Sequence, residues 1–259
     1  NAQIFSYYAK FKNYADFQSG YYNLQKSMNL DAIAKKLQQG GTDTPQDPSM
    51  EKLTIPEGYT IDQIAKTIAK LKKNKLSSDT FLKKVQDDNF ITQEAAKYPK
   101  LLESLAKKES GVKYRLEGYL FPATYNVTDS TTAETLIDQM LAAMDKTMSR
   151  YYDVLATKNL TVHDVLTIAS LVEKEGSTDQ DRKNIASVFY NRLNQNMPLQ
   201  SNIAILYAQG KLGQKTTLSE DAAIDTNIDS PYNIYKNTGL MPGPVDNPSL
   251  SAIEATVNP

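Results

Sequence analysis

Two segments near the N-terminus share one pattern of apolar and polar positions. Residues 22–37 and 53–68 each begin with a short alternating run, which predicts a strand, and continue through a turn into apolar residues at helical spacing. Asn29 and Thr60 stand just before the two helices, where a side-chain oxygen can accept a free backbone N–H. The pattern therefore predicts two strand–helix units, separated by a polar, Gly- and Pro-containing segment at residues 38–48.

Helical periodicity dominates the rest of the chain. It predicts mainly helical structure over residues 62–108 and further helices over residues 132–156, 161–175 and 180–193. Residues 113–128 are aromatic and interrupted by Gly and Pro, which predicts extended chain. We expect an α+β protein in which small strand–helix modules precede a larger, mixed but mainly helical domain. The expected divisions are a module and linker at 1–50, a module with a helical extension at 51–108, and a large domain at 109–259.

The helix predicted at residues 161–175 ends in two glutamates. Thr161 is a suitable N-cap, and Gly176 is suited to a left-handed C-terminal stop. Helical spacing places Glu175 at one margin of the apolar face, beside Leu171, and Glu173 at the other margin. The negative end of the helix and partial burial would both disfavour the charge of Glu175, as a general acid requires. The pattern alone favours the simpler interpretation that both glutamates are surface residues.

Composition narrows the chemistry that the chain can perform. The absence of cysteine among the 259 residues excludes disulfides, thiolate metal sites and a cysteine nucleophile. The single histidine, His163, excludes multi-histidine metal sites, and its place on the polar side of its helix indicates a surface residue. A net charge of -1 gives no overall signature of nucleic-acid binding. No run approaches the roughly 20 apolar residues of a membrane span.

Polar loops follow the last predicted helix. Residues 197–202, 230–235 and 239–244 are rich in amide, hydroxyl and phenol groups between rigid Pro and Gly turns. Such groups bind sugar hydroxyls and acetamides, and tyrosine rings stack on sugar faces. We predict that Gln200, Tyr232, Asn233 and Tyr235 line a glycan cleft near Glu175. The alternative is that the two tyrosines pack their loop onto the domain.

Several motifs taken together resemble the endolytic murein transglycosylase (YceG-like) family. They are LEGYLFPATY at 116–125, ASLVEKE at 169–175, SVFYNRL at 187–193, PLQ at 198–200, SPYNIY at 230–235 and GLMPGP at 239–244. The two strand–helix units are similar to the LysM-like region of that family. The chain departs from common family residues at Ala123, at Ser201 and Asn202, and at Met241, and none of these departures removes a glutamate.

The resemblance implies an enzyme that cuts the glycan strands of bacterial peptidoglycan internally. Such a lytic transglycosylase breaks the MurNAc–GlcNAc bond without adding water and leaves a 1,6-anhydro-MurNAc end. The second glutamate of the family's Glu-Lys-Glu motif is catalytic, which corresponds to Glu175. We expect Glu173 and Glu117 to support it, and expect Tyr119, Asn191 and Ser201 to join the loop residues as substrate contacts. No metal or organic cofactor is implied.

The family also implies partners and a location. The expected partners are peptidoglycan strands and peptidoglycan synthases (penicillin-binding proteins), with no nucleic acid. Family members are anchored by a single N-terminal membrane helix, so the expected location is the extracytoplasmic face of the bacterial cell membrane. That helix and the usual C-terminal continuation lie outside these 259 residues, so we expect a longer natural protein. A hydrolytic muramidase, a non-catalytic peptidoglycan-binding module and a scaffold for the synthesis machinery remain as alternatives.

Overall fold

The computed structural model describes residues 2–43, 45, 47–72, 76–214 and 224–259. Packing divides the chain into two compact units, Asn1–Glu51 and Lys52–Pro259. The boundary between these units, at residues 51/52, lies one residue from the domain boundary expected at 50/51. The second expected boundary, at 108/109, falls inside the second unit. The reason is a two-stranded sheet, in which β1 (Glu51–Thr54) pairs with β2 (Thr124–Val127) and so joins the two expected domains.

The first unit contains α1 (Ala2–Phe11) and α2 (Leu30–Gln39). Asn29 caps α2 by accepting the backbone N–H of Ala32, which confirms the predicted cap. The strand predicted at residues 22–24 does not form, and an isolated bridge joins Tyr21 to Thr42 instead. Within α2, Ala34 is buried while the other residues keep solvent contact. The first segment therefore buries too little apolar surface to hold a strand.

The second strand–helix segment is part of the core. It continues from β1 into α3 (Ile61–Ile68), where Thr60 and Gln63 form a capping box. Ile61, Ile64 and Ile68 are fully buried, so the predicted apolar spacing faces the interior. The chain continues as predicted in mainly helical form, through α4 (Ser78–Lys84), α5 (Asp88–Lys97), α6 (Pro99–Leu102) and a 3-10 turn at Lys108–Ser110.

Extended chain was expected over residues 113–128, but residues 115–119 form tight turns and β2 is the extended part. Gly118 has φ +87°, and a Cβ there would lie 2.3 Å from the Cβ of Pro244. A glycine is needed at this position because the backbone is left-handed and the Pro244 side chain leaves no space for a Cβ atom. The contact brings the motif at 116–125 against the motif at 239–244.

The remaining helices build the body of the second unit. They are α7 (Ala133–Met148), α8 (Tyr152–Lys158), α9 (Val162–Glu175), α10 (Asp179–Asn194), α11 (Asn202–Ala208) and α12 (Leu250–Val257). The helix expected over 132–156 is interrupted at residues 149–151, whereas α9 and α10 confirm their predictions to within a residue or two. Buried side chains run along α9, which packs against α10 and α12. The fold is α+β and mainly helical, and none of its described helices has the length and apolar character that a membrane span needs.

Gly176 ends α9 in a different way from the one expected. Its backbone is extended, with φ −96° and ψ 129°, so the prediction of a left-handed stop is wrong. A Cβ on Gly176 would lie 2.5 Å from the Cγ of Arg182 and 3.1 Å from its Cα. Glycine is required there because the first turn of α10 lies against the end of α9.

Candidate active site

Glu175 ends α9 with an exposed side chain, so the partial burial expected from the sequence is absent. Its Oε1 accepts a hydrogen bond of 2.7 Å from the hydroxyl of Ser201, the buried N-cap of α11. The Ser201 oxygen itself accepts the N–H of Ile203 at 3.2 Å, which leaves its proton for Glu175. Oε2 of Glu175 has no hydrogen bond to the described residues. One carboxyl oxygen is therefore held in place, and the other is available to exchange a proton with a bound molecule.

Glu175 lies on the rim of a cleft of about 290 Å³. The apolar side chains that line it are Ile185, Val188, Phe189 and Leu199, and the polar ones are Glu175, Asn184, Arg192, Gln200 and Ser201. Apolar lining beside amide, hydroxyl and charged groups is suited to a sugar, which has CH-rich faces and polar edges. Two larger cavities, of about 480 and 440 Å³, are not lined by Glu175. The chemistry of the lining, rather than volume, therefore singles out the cleft.

The loop beside the cleft is fastened by Arg192. Its Nη1 donates to the carbonyl oxygens of Pro198 and Leu199 and to the side-chain oxygen of Gln200. Gln200 has φ +58°, an uncommon value for a residue with a side chain, and its N–H donates to the carbonyl of Ile234. These contacts fix the chain just before Ser201 and so help to place the Ser201 hydroxyl at Glu175.

Tyr235 approaches the same carboxyl group. It is half-buried, and its hydroxyl donates a hydrogen bond of 2.7 Å to Oδ1 of Asn202 at the start of α11. Burial raises the pKa of Tyr235, the charge of Glu175 raises it further, and Arg192 opposes the shift. Of the loop residues singled out in the sequence, Gln200 and Ser201 line the cleft, and Tyr235 lies beside it at the start of α11.

Tyr232 and Asn233 do not reach the cleft surface. Both are buried, and the Tyr232 ring packs against Tyr207 with 5.1 Å between ring centroids. The Asn233 amide donates to two backbone carbonyls, and its oxygen accepts the N–H of Tyr235. The prediction that these two side chains contact the glycan therefore disagrees with their burial. For Tyr232 the packing alternative holds, and Asn233 shapes the loop that carries Tyr235.

Three further residues singled out in the sequence, Tyr119, His163 and Asn191, lie outside the lining of the cleft. Tyr119 is fully buried, and its hydroxyl is 3.0 Å from Nδ1 of His163, while Nε2 of His163 is 2.8 Å from the carbonyl oxygen of Pro242. Because that carbonyl can only accept, Nε2 donates to it, and in the neutral ring Nδ1 accepts from Tyr119. His163 is thus an internal link rather than the surface residue expected. Asn191 is exposed on α10 but is not part of the cleft lining.

Glu173, two residues before Glu175, faces the scaffold. Its side chain is 8% exposed and lies 3.4 Å from Nη2 of Arg182 on α10. Oε2 accepts the backbone N–H of Ser249 at 3.0 Å and also the Ser249 hydroxyl, and Ser249 is the N-cap of α12. Glu173 therefore joins α9 to the first turns of two neighbouring helices.

Glu117 is enclosed in the interior, 1% exposed. Oε1 accepts the N–H of Ile61 at 2.9 Å and the amide of Asn247 at 3.1 Å, and Oε2 accepts the hydroxyl of Tyr207 at 3.1 Å. Burial raises the pKa of Glu117 to about 8, although the bonds from Ile61 and Tyr207 favour the charged form. Asn247 was missed in the sequence, where a lone asparagine after a Pro-rich turn carries no signal of this contact.

A further buried acid, Asp246, was also missed. It is fully buried, neither carboxyl oxygen has a hydrogen-bond partner among the described residues, and the Nζ of Lys174 lies 4.0 Å away. Burial raises the pKa of Asp246 well above its usual range, Lys174 opposes the shift, and Glu173 and Glu117 add to it. The ammonium group of Lys174, which stands between the two glutamates in the sequence, therefore faces a buried acid.

Comparison with known proteins places the chain in a family. The model of the YceG-like family matches residues 1–259. The chain is 67% identical over 258 residues to the endolytic murein transglycosylase of Streptococcus pneumoniae serotype 2 (strain D39), covering 98% of this chain and 47% of that protein. It is 40% identical to the endolytic murein transglycosylase of Bacillus subtilis (strain 168), covering 99% of this chain and 68% of that protein.

A solved structure supports the same grouping. The crystal structure of a putative YceG-like protein from Listeria monocytogenes superimposes with a TM-score of 0.72 at 42% identity, covering 100% of this chain and 82% of that one. The chain belongs to the YceG-like family. It spans about half the length of the pneumococcal relative.

Proposed function

We propose that this chain carries the catalytic site of a lytic transglycosylase that cuts peptidoglycan glycan strands internally. The observation that carries the proposal is the state of Glu175, with one oxygen held by Ser201 and the other free, on the rim of a cleft suited to a sugar. Relatives with the name endolytic murein transglycosylase support the same reaction class.

In this mechanism one carboxyl group performs both proton transfers. Protonated Glu175 gives its proton to the glycosidic oxygen as the bond to C1 of MurNAc breaks. The resulting carboxylate then removes the proton of the C6 hydroxyl as that oxygen bonds to C1, which yields the 1,6-anhydro end and restores the acid. Between these steps the hydrogen bond from Ser201 stabilises the carboxylate. No water is consumed.

The other carboxyl groups support a single-acid mechanism. A glycoside hydrolase normally uses a second carboxylate as nucleophile or base. Glu173 is bonded to Arg182 and Ser249, and Glu117 is enclosed in the interior. We assign both a supporting role in holding the site together. Gln200 and Asn184 offer amides that match an acetamide, and Phe189 offers an apolar surface for the sugar.

The location and partners follow from the proposed reaction. Cleavage of peptidoglycan requires the site to lie in the cell envelope, and we propose the outer face of the cytoplasmic membrane with a single N-terminal anchor. Peptidoglycan synthases are the proposed neighbours. The region around residues 20–70, which contains both segments similar to the family's LysM-like region, would assist strand capture and carry none of the proton transfers.

The test is mass spectrometry of peptidoglycan digested by the protein. We expect anhydro-MurNAc ends with the wild type and at least about a hundredfold slower release with Glu175→Gln, which keeps size and polarity but removes the acid. Glu109→Gln, an exposed glutamate in the 3-10 turn, is the matched control and should retain activity. Reducing ends would identify a muramidase instead. Glycan binding without cleavage would identify a binding module, and wild-type turnover in a folded Glu175→Gln variant would overturn the role of Glu175.

A further inference from the structure

A buried polar network connects α3 with the cleft, and Glu117 is its centre. The Glu117 carboxyl group is bonded to the first N–H of α3 at Ile61, to the side chain of Asn247 and to the hydroxyl of Tyr207 on α11. Asn247 is itself held, since its amide donates to the carbonyl of Tyr59 and its oxygen accepts the N–H of Leu120. Because these bonds are directional and enclosed, they fix α11 relative to α3.

The same helix leads from Tyr207 to the catalytic carboxyl group. Tyr207 lies near the end of α11, and Ser201, which donates to Glu175, caps its beginning. A helix of this length spans about 10 Å and moves as one body, so a shift at Tyr207 is passed to Ser201. Tyr207 also packs on Tyr232, in the loop that carries Tyr235. Two groups near Glu175 thus depend on the position of Tyr207.

We propose that Glu117 is a positioning residue for Glu175, acting through Tyr207 and α11 on the Ser201 hydroxyl. This inference rests on the proposed function, because it concerns the same acid. Glu117 touches neither the cleft nor the substrate. Its part is to hold the donor that orients Glu175, so its loss should slow the chemical step more than it weakens substrate binding.

The charges around Glu117 indicate which substitution is conservative. Asp62 and Lys113 act on it with opposite sign, and burial raises its pKa to about 8, so the neutral acid predominates at neutral pH. In the neutral acid the proton lies on Oε2, so the bond to Tyr207 is reversed and Oε2 donates to the phenol oxygen. Glutamine reproduces this form, with an oxygen that accepts from Ile61 and Asn247 and an N–H that donates to Tyr207. Leucine has similar bulk and makes none of these bonds.

The experiment compares kcat and KM on soluble glycan strands for four variants that are first shown to fold. We expect Tyr207→Phe and Glu117→Leu to lower kcat by about tenfold, the scale of losing the Ser201 hydrogen bond through which they act, with KM changed less than about threefold. Glu117→Gln should keep kcat within about threefold of the wild type. Tyr151→Phe is the matched control, because it removes a tyrosine–glutamate hydrogen bond of 2.9 Å to Glu254 outside this network.

Each result decides the proposal. Wild-type kcat in Tyr207→Phe overturns it, as does an equal loss of kcat in Tyr151→Phe, which would indicate a general effect of stability. A rise in KM alone would also overturn it. Tyr207→Phe keeps the ring that packs on Tyr232, so it tests the contact even if Glu117→Leu fails to fold. The proposed function fails separately, when the wild type releases no anhydro ends or when Glu175→Gln stays active.

Discussion

The two margins of the last turn of α9 offer a close comparison. On one margin, Glu173 is 8% exposed, faces Arg182 and accepts from Ser249, the N-cap of α12. On the other margin, Glu175 is exposed and accepts from Ser201, the N-cap of α11. Each glutamate thus meets a capping serine, but donors surround Glu173 whereas Glu175 keeps a free oxygen. A carboxyl group held by several donors strengthens the scaffold, and one held at a single oxygen can still transfer a proton.

The largest expected effect is the difference in activity between the two glutamates. Glu175→Gln should lower the rate of anhydro-MurNAc formation by about 10²- to 10⁴-fold, the usual contribution of a general acid–base group. Glu173→Gln should lower it far less, because that side chain transfers no proton. Initial rates from chromatography of the released ends measure both. If Glu173→Gln is the inactive variant of the pair, the two assignments must be exchanged.

For the free energy of unfolding, substitution of Glu173 should have a larger effect than substitution of Glu175, the reverse of their order in activity. Glu173→Ala removes the carboxylate that faces Arg182, whose bond to Ser251 remains, and leaves two donors of Ser249 unpaired. This should cost about 2–4 kcal/mol of unfolding free energy. Glu175→Ala removes an exposed side chain with one hydrogen bond and should cost about 1 kcal/mol or less. Denaturant unfolding followed by circular dichroism provides the comparison. Equal losses would contradict the division between scaffold and site.

The buried acid Glu117, which belongs to the scaffold, should make the stability of the protein depend on pH. The pKa of Glu117 is raised from 4.5 to about 8 in the folded protein, so the native state keeps a proton that the unfolded state releases. This contribution to stability is fully present below the unfolded pKa and is lost as pH rises through about 8, by at most about 1.4 kcal/mol per pH unit. Glu117→Gln should therefore flatten the fall in stability between about pH 5 and 8. Unfolding curves across this range with the wild-type slope would refute the claim.

The smallest expected effect separates the two capping serines. Ser201→Ala and Ser249→Ala each remove an N-cap and should each cost about 1 kcal/mol of stability. Activity should distinguish them, since Ser201 alone donates to Glu175. We expect kcat to fall about tenfold in Ser201→Ala, as for the loss of about 1.4 kcal/mol of transition-state stabilisation, and to stay near the wild-type value in Ser249→Ala. The same kcat in both variants would remove Ser201 from the mechanism.

Sequence periodicity predicted much of the frame that holds this site. The bounds of α9 and α10 and the caps at Thr60 and Thr161 follow from local signals, because apolar spacing and side-chain capping act within a few residues. The opposite margins of Glu173 and Glu175 follow from the same spacing. The strand expected at residues 22–24 failed because an alternating pattern becomes a strand only where a partner and an apolar surface exist.

Contacts distant in sequence account for most of the other differences. Lys174 has the spacing of a solvent-facing residue, but the fold places the buried Asp246 against it. Tyr232 and Asn233 have the composition of a sugar-binding loop, yet Tyr207 and neighbouring carbonyl groups use their polar and aromatic surfaces. Residue type indicated which groups could bind a glycan. Only the tertiary packing decided which of them face the cleft.

The pairing of β1 with β2 has a consequence for the order of folding. Thr54 and Thr124, whose hydroxyl groups are 3.0 Å apart across the sheet, are 70 residues apart in the chain. Closing a loop of that length costs more entropy than forming the helices within it, so α3 to α6 can fold before the sheet closes. When the chain emerges from its N-terminal end, β1 lacks its sheet partner until residues 124–127 have followed. Leu53, which is buried in the folded protein, lies on a strand with unpaired backbone groups during this interval, and such a strand is open to mispairing.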